Sequence, residues 1–247
     1  MFSKKLYIVD FNGAVTRNIV EQFYKDMKYV KKRYRKGDAI IVRMSCPGGS
    51  PALSEEVMRY LIQYNKEKPI LFYIEEMAAS GGYYIASGMD CIYANKNAVV
   101  GSIGVIMQKY EISGLAEKIG VKEDNLLVGE FKQPLSLFKP VDKEGEKYLK
   151  ENLMVPMYNN FTKTVAENRN IMLPLLKEKY GEGRIFIASE VKGILVDEIV
   201  DMAFLINVKF KGLKEEYVNT KKKTFAQKLG FNTDFKFDLL ENKVSFL

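Results

Sequence analysis

Histidine is absent from all 247 residues of the chain. Serine-histidine and cysteine-histidine catalytic pairs are therefore excluded within it, as are histidine-bearing zinc sites. Any activated serine must use another base, and lysine is the usual substitute. Cysteine is scarce: Cys46 and Cys91 give neither a disulfide framework nor metal-ligand spacing, which fits a reducing compartment. No apolar run approaches the roughly 20 residues that cross a bilayer. Met1-Phe2-Ser3-Lys4-Lys5 leads directly into a strand-like Leu6-Tyr7-Ile8-Val9, so neither a signal peptide nor an anchor is expected. The expected location is cytoplasmic, or peripheral at the inner membrane.

What is present is an ordinary globular composition, 47% hydrophobic and 28% charged, on a chain long enough to bury a large core. The net charge of +7 comes from lysines spread along the sequence. Their densest cluster, Lys221-Lys222-Lys223, has no interleaved aromatics, so it reads as a solvated face and not as a nucleic-acid patch. Attraction to anionic membrane surfaces is left open.

Residues Ile19 to Tyr34 carry Val20, Phe23, Tyr24, Met27, Val30 and Tyr34 at helical spacing. After Gly37-Asp38, Ala39-Ile40-Ile41-Val42 has the continuous apolar character of a strand buried on both faces of a parallel sheet. Ser50 followed by Pro51 predicts a capped helix to about Asn65. The alternation continues with strands at Ile70 to Ile74 and Cys91 to Ala94 and an apolar run from Ala98 to Val105. A short helix is expected at Ile112 to Ile119 and a strand at Asn125 to Val128. The chain is helical from Lys143 to about Arg169, with Pro156 as a kink or break. Strand character returns at Arg184 to Ile187 and Leu195-Val196, around a short helix from Ala188 to Gly193. Alternating strands and helices argue for an α/β fold around a largely parallel sheet.

The sequence centres on Met77-Ala78-Ala79-Ser80-Gly81-Gly82-Tyr83-Tyr84. A strand leads in, glycines follow the serine, and a helix starts. Such a turn either holds a nucleophile out of the sheet, beside free helix N–H groups, or simply lets a helix pack closely. Two more glycine turns, Pro47-Gly48-Gly49 and Gly101-Ser102-Ile103-Gly104, also follow strands. In a parallel sheet these loops converge on one side, so they could form one site. Gly48, Gly49 and Gly81 could then direct N–H groups at the oxyanion of an acyl-transfer intermediate.

Four stretches in order, Arg43 to Ser50, Met77 to Tyr84, Gly101 to Val105 and Gly129-Glu130-Phe131-Lys132, resemble the motifs of the signal peptide peptidase A family. These are the S49 serine proteases, relatives of the Clp protease and crotonase superfamily. The segment Gly183-Arg184-Ile185-Phe186 to Gly193-Ile194-Leu195-Val196-Asp197 is similar to a further family motif. The resemblance spans roughly residues 5 to 205, in the family's short single-unit form. It implies a crotonase-like stack of ββα units, a peptidase domain over 1–205 with a helical segment at 143–180, and a tail or oligomer-docking segment at 206–247. It also implies Ser80 as nucleophile, Lys132 as general base, Ser102 as the residue that orients the lysine, and an oxyanion hole at Gly48, Gly49 and Gly81. The substrate would be a peptide or an unfolded or signal-peptide-like segment, and the assembly a ring-shaped homo-oligomer in which neighbouring chains can share a site. No metal, cofactor or nucleic-acid partner is implied. Cys46 stands where the family more often has serine, Ala188 replaces a usual glycine, and Gln133 follows the lysine where aspartate is common. Two other readings share the fold: an acyl-CoA hydratase or isomerase of crotonase type, for which Glu75 and Glu76 are the nearby carboxylates, and a non-catalytic assembly protein.

Overall fold

The computed structural model describes residues 3–220. The first strand, β1 (Lys5–Asn12), leads into helix α1 (Arg17–Arg33), whose N-terminus is capped by the Thr16 side chain accepting from the Ile19 N–H. Next come β2 (Ala39–Cys46) and α2 (Pro51–Glu67), where Ser50 caps the Leu53 N–H and Pro51 opens the first turn, as the sequence predicts. β3 (Leu71–Ala79) and α3 (Gly81–Ser87) follow, then the short strands β4 (Ile92–Ala94) and β5 (Val99–Gly101).

These strands build an eight-stranded sheet in the order β6-β5-β3-β2-β1-β8, with β4 paired to β3 and β7. β6 is Ile185–Ile187, β7 is Glu198–Ile199 and β8 is Lys214–Val218. Every pairing is parallel except β5 with β6. Alternation along the strands sorts their side chains onto two faces. Tyr7, Val9, Phe11, Val42, Met44, Phe72 and Ile74 pack against α1, α2 and α3 in the main core. Leu6, Ile8, Ile41, Leu71 and Tyr73 face the other way and are covered by Val200, Met202, Leu205, Ile206 and Phe210.

The sheet runs past residue 205, where the peptidase domain was expected to end. β8 pairs with β1 from Lys5↔Lys214 to Val9↔Val218, and Val218 is buried in the main core. A polar sequence reads as a tail, but Glu215 and Tyr217 belong to an edge strand with one open face. The Lys221-Lys222-Lys223 cluster and the segment from Phe231 to Leu247 lie outside the described residues.

The helical stretch from Lys143 is continuous but not uniform: α4 (Ser113–Lys118) and the connection after it lead to α5 (Lys143–Leu149), a π-turn (Lys150–Met154) and α6 (Val155–Asn168). Pro156 does not break the helix. Its missing N–H and its ring would disrupt the α-helical bond to the preceding turn, and the wider π-turn beside it absorbs the mismatch.

Two expected strands do not form. Among the described residues, Asn125 to Val128 has no neighbouring strand; Leu126 is 102% and Val128 95% exposed. An unpaired segment cannot satisfy its backbone as a strand within one chain. Leu195-Val196 lies in a turn closed by the Lys192↔Val196 bridge, and pairing moves on to Glu198–Ile199. Both residues are buried, so their apolar character reports core packing and not strand pairing.

Candidate active site

Ser80 sits between β3 and α3 with φ +53° and ψ −119°, a half of conformational space that side-chain-bearing residues rarely enter. The surroundings enforce this geometry. The Ser80 N–H donates to the Gly101 carbonyl at 2.8 Å, and the Ser80 carbonyl accepts from the Tyr84 N–H at 2.9 Å. The residue is fully buried, yet its Oγ has no hydrogen-bond partner. An unpaired buried hydroxyl costs about 1–3 kcal/mol, so a fold selected only for stability would fill or satisfy it.

Register explains which turns meet. Ala79 pairs with Gly101, which sets the Ser102 turn beside Ser80. Ser102 also has a positive φ, +54°, is buried, and donates its N–H to the Arg184 carbonyl at 2.6 Å. Gly101 must be glycine: a Cβ there would lie 2.8 Å from the Arg184 carbonyl oxygen. On the other side, Cys46 of β2 pairs with Ala78. Between Ile74 and Ala78, β3 carries two residues more than β2 does between Met44 and Cys46. This bulge re-aims the strand end just before the serine.

The Gly48-Gly49 turn is fastened to the loop after β1. The Val15 N–H donates to the Gly48 carbonyl at 2.7 Å and the Ser50 N–H to the Val15 carbonyl at 3.0 Å. Neither bond uses the Gly49 N–H. Cys46 packs under the start of α3, where a Cβ on Gly82 would approach the Cys46 carbonyl to 2.7 Å. Burial pushes the Cys46 thiol up to about 12, so it stays protonated and inert at neutral pH. Arg184 and Val15 therefore hold the site through backbone groups brought in by pairing: Arg184 lies in the motif that starts at Gly183, whereas no motif marks Val15.

Beside the Ser102 turn lies a cavity of about 450 Å³ lined by Gly104, Val105, Ile106, Met154, Val155 and Tyr158, with Lys150 and Glu182 at its polar side. The carboxylates considered for crotonase chemistry are engaged elsewhere. Glu75 accepts from Arg43 at 3.0 Å, and Glu76 accepts from Ser45 at 3.1 Å.

Lys132 makes no hydrogen bond to Ser80 within the chain: the serine oxygen has no partner, and Lys132 is exposed. It lies on a loop closed by Glu123, which accepts from Gln133 at 2.7 Å and from Ser136. Phe131 anchors the loop by stacking on Tyr148, with ring centroids 4.2 Å apart and planes 5° from parallel. Gln133 thus has a structural role that sequence reading did not assign.

A strained, buried serine at a strand-to-helix turn, on a parallel sheet covered by helices, defines an α/β protein of the Clp-protease-like kind. The model of peptidase family S49 matches residues 62–215, and the chain belongs to that family. A provisionally named protease of Methanocaldococcus jannaschii, MJ0651, is 34% identical over 161 residues, 65% of this chain and 51% of that protein. An Enterococcus faecium protein provisionally named signal peptide peptidase SppA is 35% identical over 162 residues, 65% of this chain and 46% of that protein. The chain thus matches about half the length of these two relatives. Among solved structures, a mutant of the 1510-N membrane-bound stomatin-specific protease superposes with a TM-score of 0.56 at 15% identity, covering 90% of this chain and 100% of that one. This last likeness concerns the fold. Among the described residues, no helix is long and apolar enough to cross a membrane.

Proposed function

We propose that this chain is a serine endopeptidase in which Ser80 attacks a peptide carbonyl and Lys132, supplied by a second copy of the chain, takes its proton. The observation that carries the reading is the Ser80 hydroxyl: buried, without a partner, and held in a strained conformation by the Gly101 and Tyr84 backbone bonds. Such strain without a stabilising contact suits a nucleophile waiting for its base. Membership of the S49 family and the protease names of its relatives support the same chemistry.

The addition of Ser80 Oγ to the carbonyl forms a tetrahedral intermediate, with the proton passing to the neutral lysine. Gly48, Gly49 and Gly81 are the N–H donors proposed to receive the oxyanion, with Ser102 orienting the lysine. Collapse expels the amine, which takes the proton from Lys132, and leaves an acyl-Ser80 ester. Water then hydrolyses the ester by the same route. Glu75 and Glu76 are held by Arg43 and Ser45, which leaves no free carboxylate pair for a hydratase beside the turn.

The arm bearing Lys132 supports a shared site, because Leu126 and Val128 are almost fully exposed on it and Lys132 makes no bond to Ser80. A ring of copies would cover that apolar surface. Signal-peptide-like or unfolded segments are the substrates proposed for it. The test is mixing: Ser80→Ala and Lys132→Ala, each inactive alone, regain peptide hydrolysis when their subunits exchange. No recovery from a mixture shown to have exchanged subunits would place both groups in one chain.

A further inference from the structure

The surface at the opposite end of the sheet carries most of the chain's excess charge. Residues 25–36 hold seven basic side chains and one acidic, a net +6 against +7 for the whole sequence. The single acid is spent internally: Asp26 is 5% exposed and accepts from Gln22 and from the Thr220 N–H. All seven bases are exposed. A helix C-terminus is stabilised by one or two cations in its last turn, so the helix dipole alone does not account for seven.

The patch is also shaped. Where α1 runs into β2, a cavity of about 440 Å³ opens between Ser3, Lys5 and Tyr7 on one side and Lys32, Arg33 and Arg35 on the other. Asp38, the acid on its wall, is consumed by two backbone donors, the Lys5 N–H and the Arg35 N–H, each at 2.8 Å. Lys5 and Lys31 are partly neutralised by Glu216 and Glu67. Among the described residues, Lys32 and Arg33 have no ion pair. The cavity is therefore cationic at its mouth and large enough for a phosphate ester.

The neighbouring aromatics decide between two polyanions. Single-stranded nucleic acid needs open rings on which bases stack. Here the Tyr29 ring is covered by the Arg33 guanidinium at 3.7 Å and its hydroxyl is bound to Glu216, while Lys68 lies 5.5 Å from the Tyr34 ring centre. The rings are occupied and the charges are outermost, which fits a bilayer surface.

We propose that the basic end of α1, with the cavity between Lys5 and Arg33, is a docking surface for anionic phospholipid headgroups. The cavity takes one headgroup phosphate and the flanking lysines gain from the surface potential. β1 begins at this end with Lys5 and finishes beside the Gly48-Gly49 turn, eight residues on, so Ser80 would be held roughly 25 Å above the lipid plane.

The test uses the full chain and sedimentation with vesicles of phosphatidylcholine alone or with about a quarter phosphatidylglycerol. Binding is expected to the anionic vesicles alone and to weaken as salt is raised. Replacing Lys28, Lys32 and Arg33 together by glutamine should weaken binding about a hundredfold, taking a cationic side chain as worth about a factor of five. Melting temperature and fluorophosphonate labelling of Ser80 should stay at wild-type values, which separates this inference from the peptidase reading. A charge-matched control, Lys163, Lys179 and Lys192 to glutamine, should bind as wild type. The proposal is overturned if the control loses as much affinity as the patch variant, since net charge alone would then be acting. It is equally overturned if wild type ignores anionic vesicles, binding instead inorganic phosphate or an oligouridine through these residues.

Discussion

The Ser80 turn and the Lys132 arm are proposed to serve one reaction, yet they are built in opposite ways. Ser80, Ser102 and the glycine turns lie where three strands end against a packed core, held by backbone bonds to neighbouring loops and strands. The arm has Leu126 and Val128 exposed, and it is shaped by polar contacts around Glu123 and Gln133, by the Ile112 N–H donating to the Leu137 carbonyl and by the Phe131–Tyr148 stack. The first region is fixed by the chain's own core, and the second has a surface that the described residues do not bury. On the proposed reading, the chain completes its nucleophile and leaves the base to assembly.

Substitutions can sharpen or break this contrast. The largest effects fall on turnover: Ser80→Ala and Lys132→Arg should each cut peptide hydrolysis about a thousandfold or more, and the arginine variant should stay inactive at every pH because guanidinium cannot accept a proton. Measured melting temperatures should hardly move for Lys132→Arg, since the side chain is exposed. An active Lys132→Arg enzyme would remove the arm from the chemistry, and Lys150, which lines the cavity beside the Ser102 turn, would be the next base to test.

Stability effects come next. Gly82→Ala should destabilise the fold by about 1–3 kcal/mol in urea denaturation, because the new Cβ would press on the Cys46 backbone at 2.7 Å. Val128→Asp on the arm should change chain stability by less than about 0.5 kcal/mol while dissociating the assembly in light scattering. Equal destabilisation by both would mean that the arm is part of the core and the contrast is false.

The smallest effect is a pH dependence of the rigid region. The buried Cys46 thiol, about 12 when folded, lies above its unfolded value of 9.0. Between those values the unfolded chain binds fewer protons than the folded one, so stability is fully present below about pH 9 and falls as pH rises towards 12. Cys46→Ser should flatten part of that slope. An unchanged slope would show that Cys46 is not held as a buried thiol.

Much of the scaffold is legible in the residues themselves. Ser50-Pro51 announces the start of α2, the spacing from Val20 to Val30 gives the buried face of α1, and the apolar run from Ile40 to Val42 marks a central parallel strand. The Ser80 turn reads correctly because strand, serine and glycines are adjacent in sequence. Asn125 to Val128 misleads for the opposite reason: its strand-like composition needs a partner backbone, and the described residues provide none.

By itself, the sequence determined the histidine-free chemistry, the parallel α/β class and the serine's place between a strand and a helix, since each follows from composition or from neighbours along the chain. Only the tertiary structure decided that the Ser80 hydroxyl is buried without a partner, that Arg184 and Val15 carbonyls hold the flanking turns, that β8 extends the sheet beyond β1 and that Lys132 is exposed, without a bond to the serine. Those facts depend on register and on contacts across as many as two hundred residues of chain, where backbone groups of any residue type can serve and local sequence therefore leaves no mark.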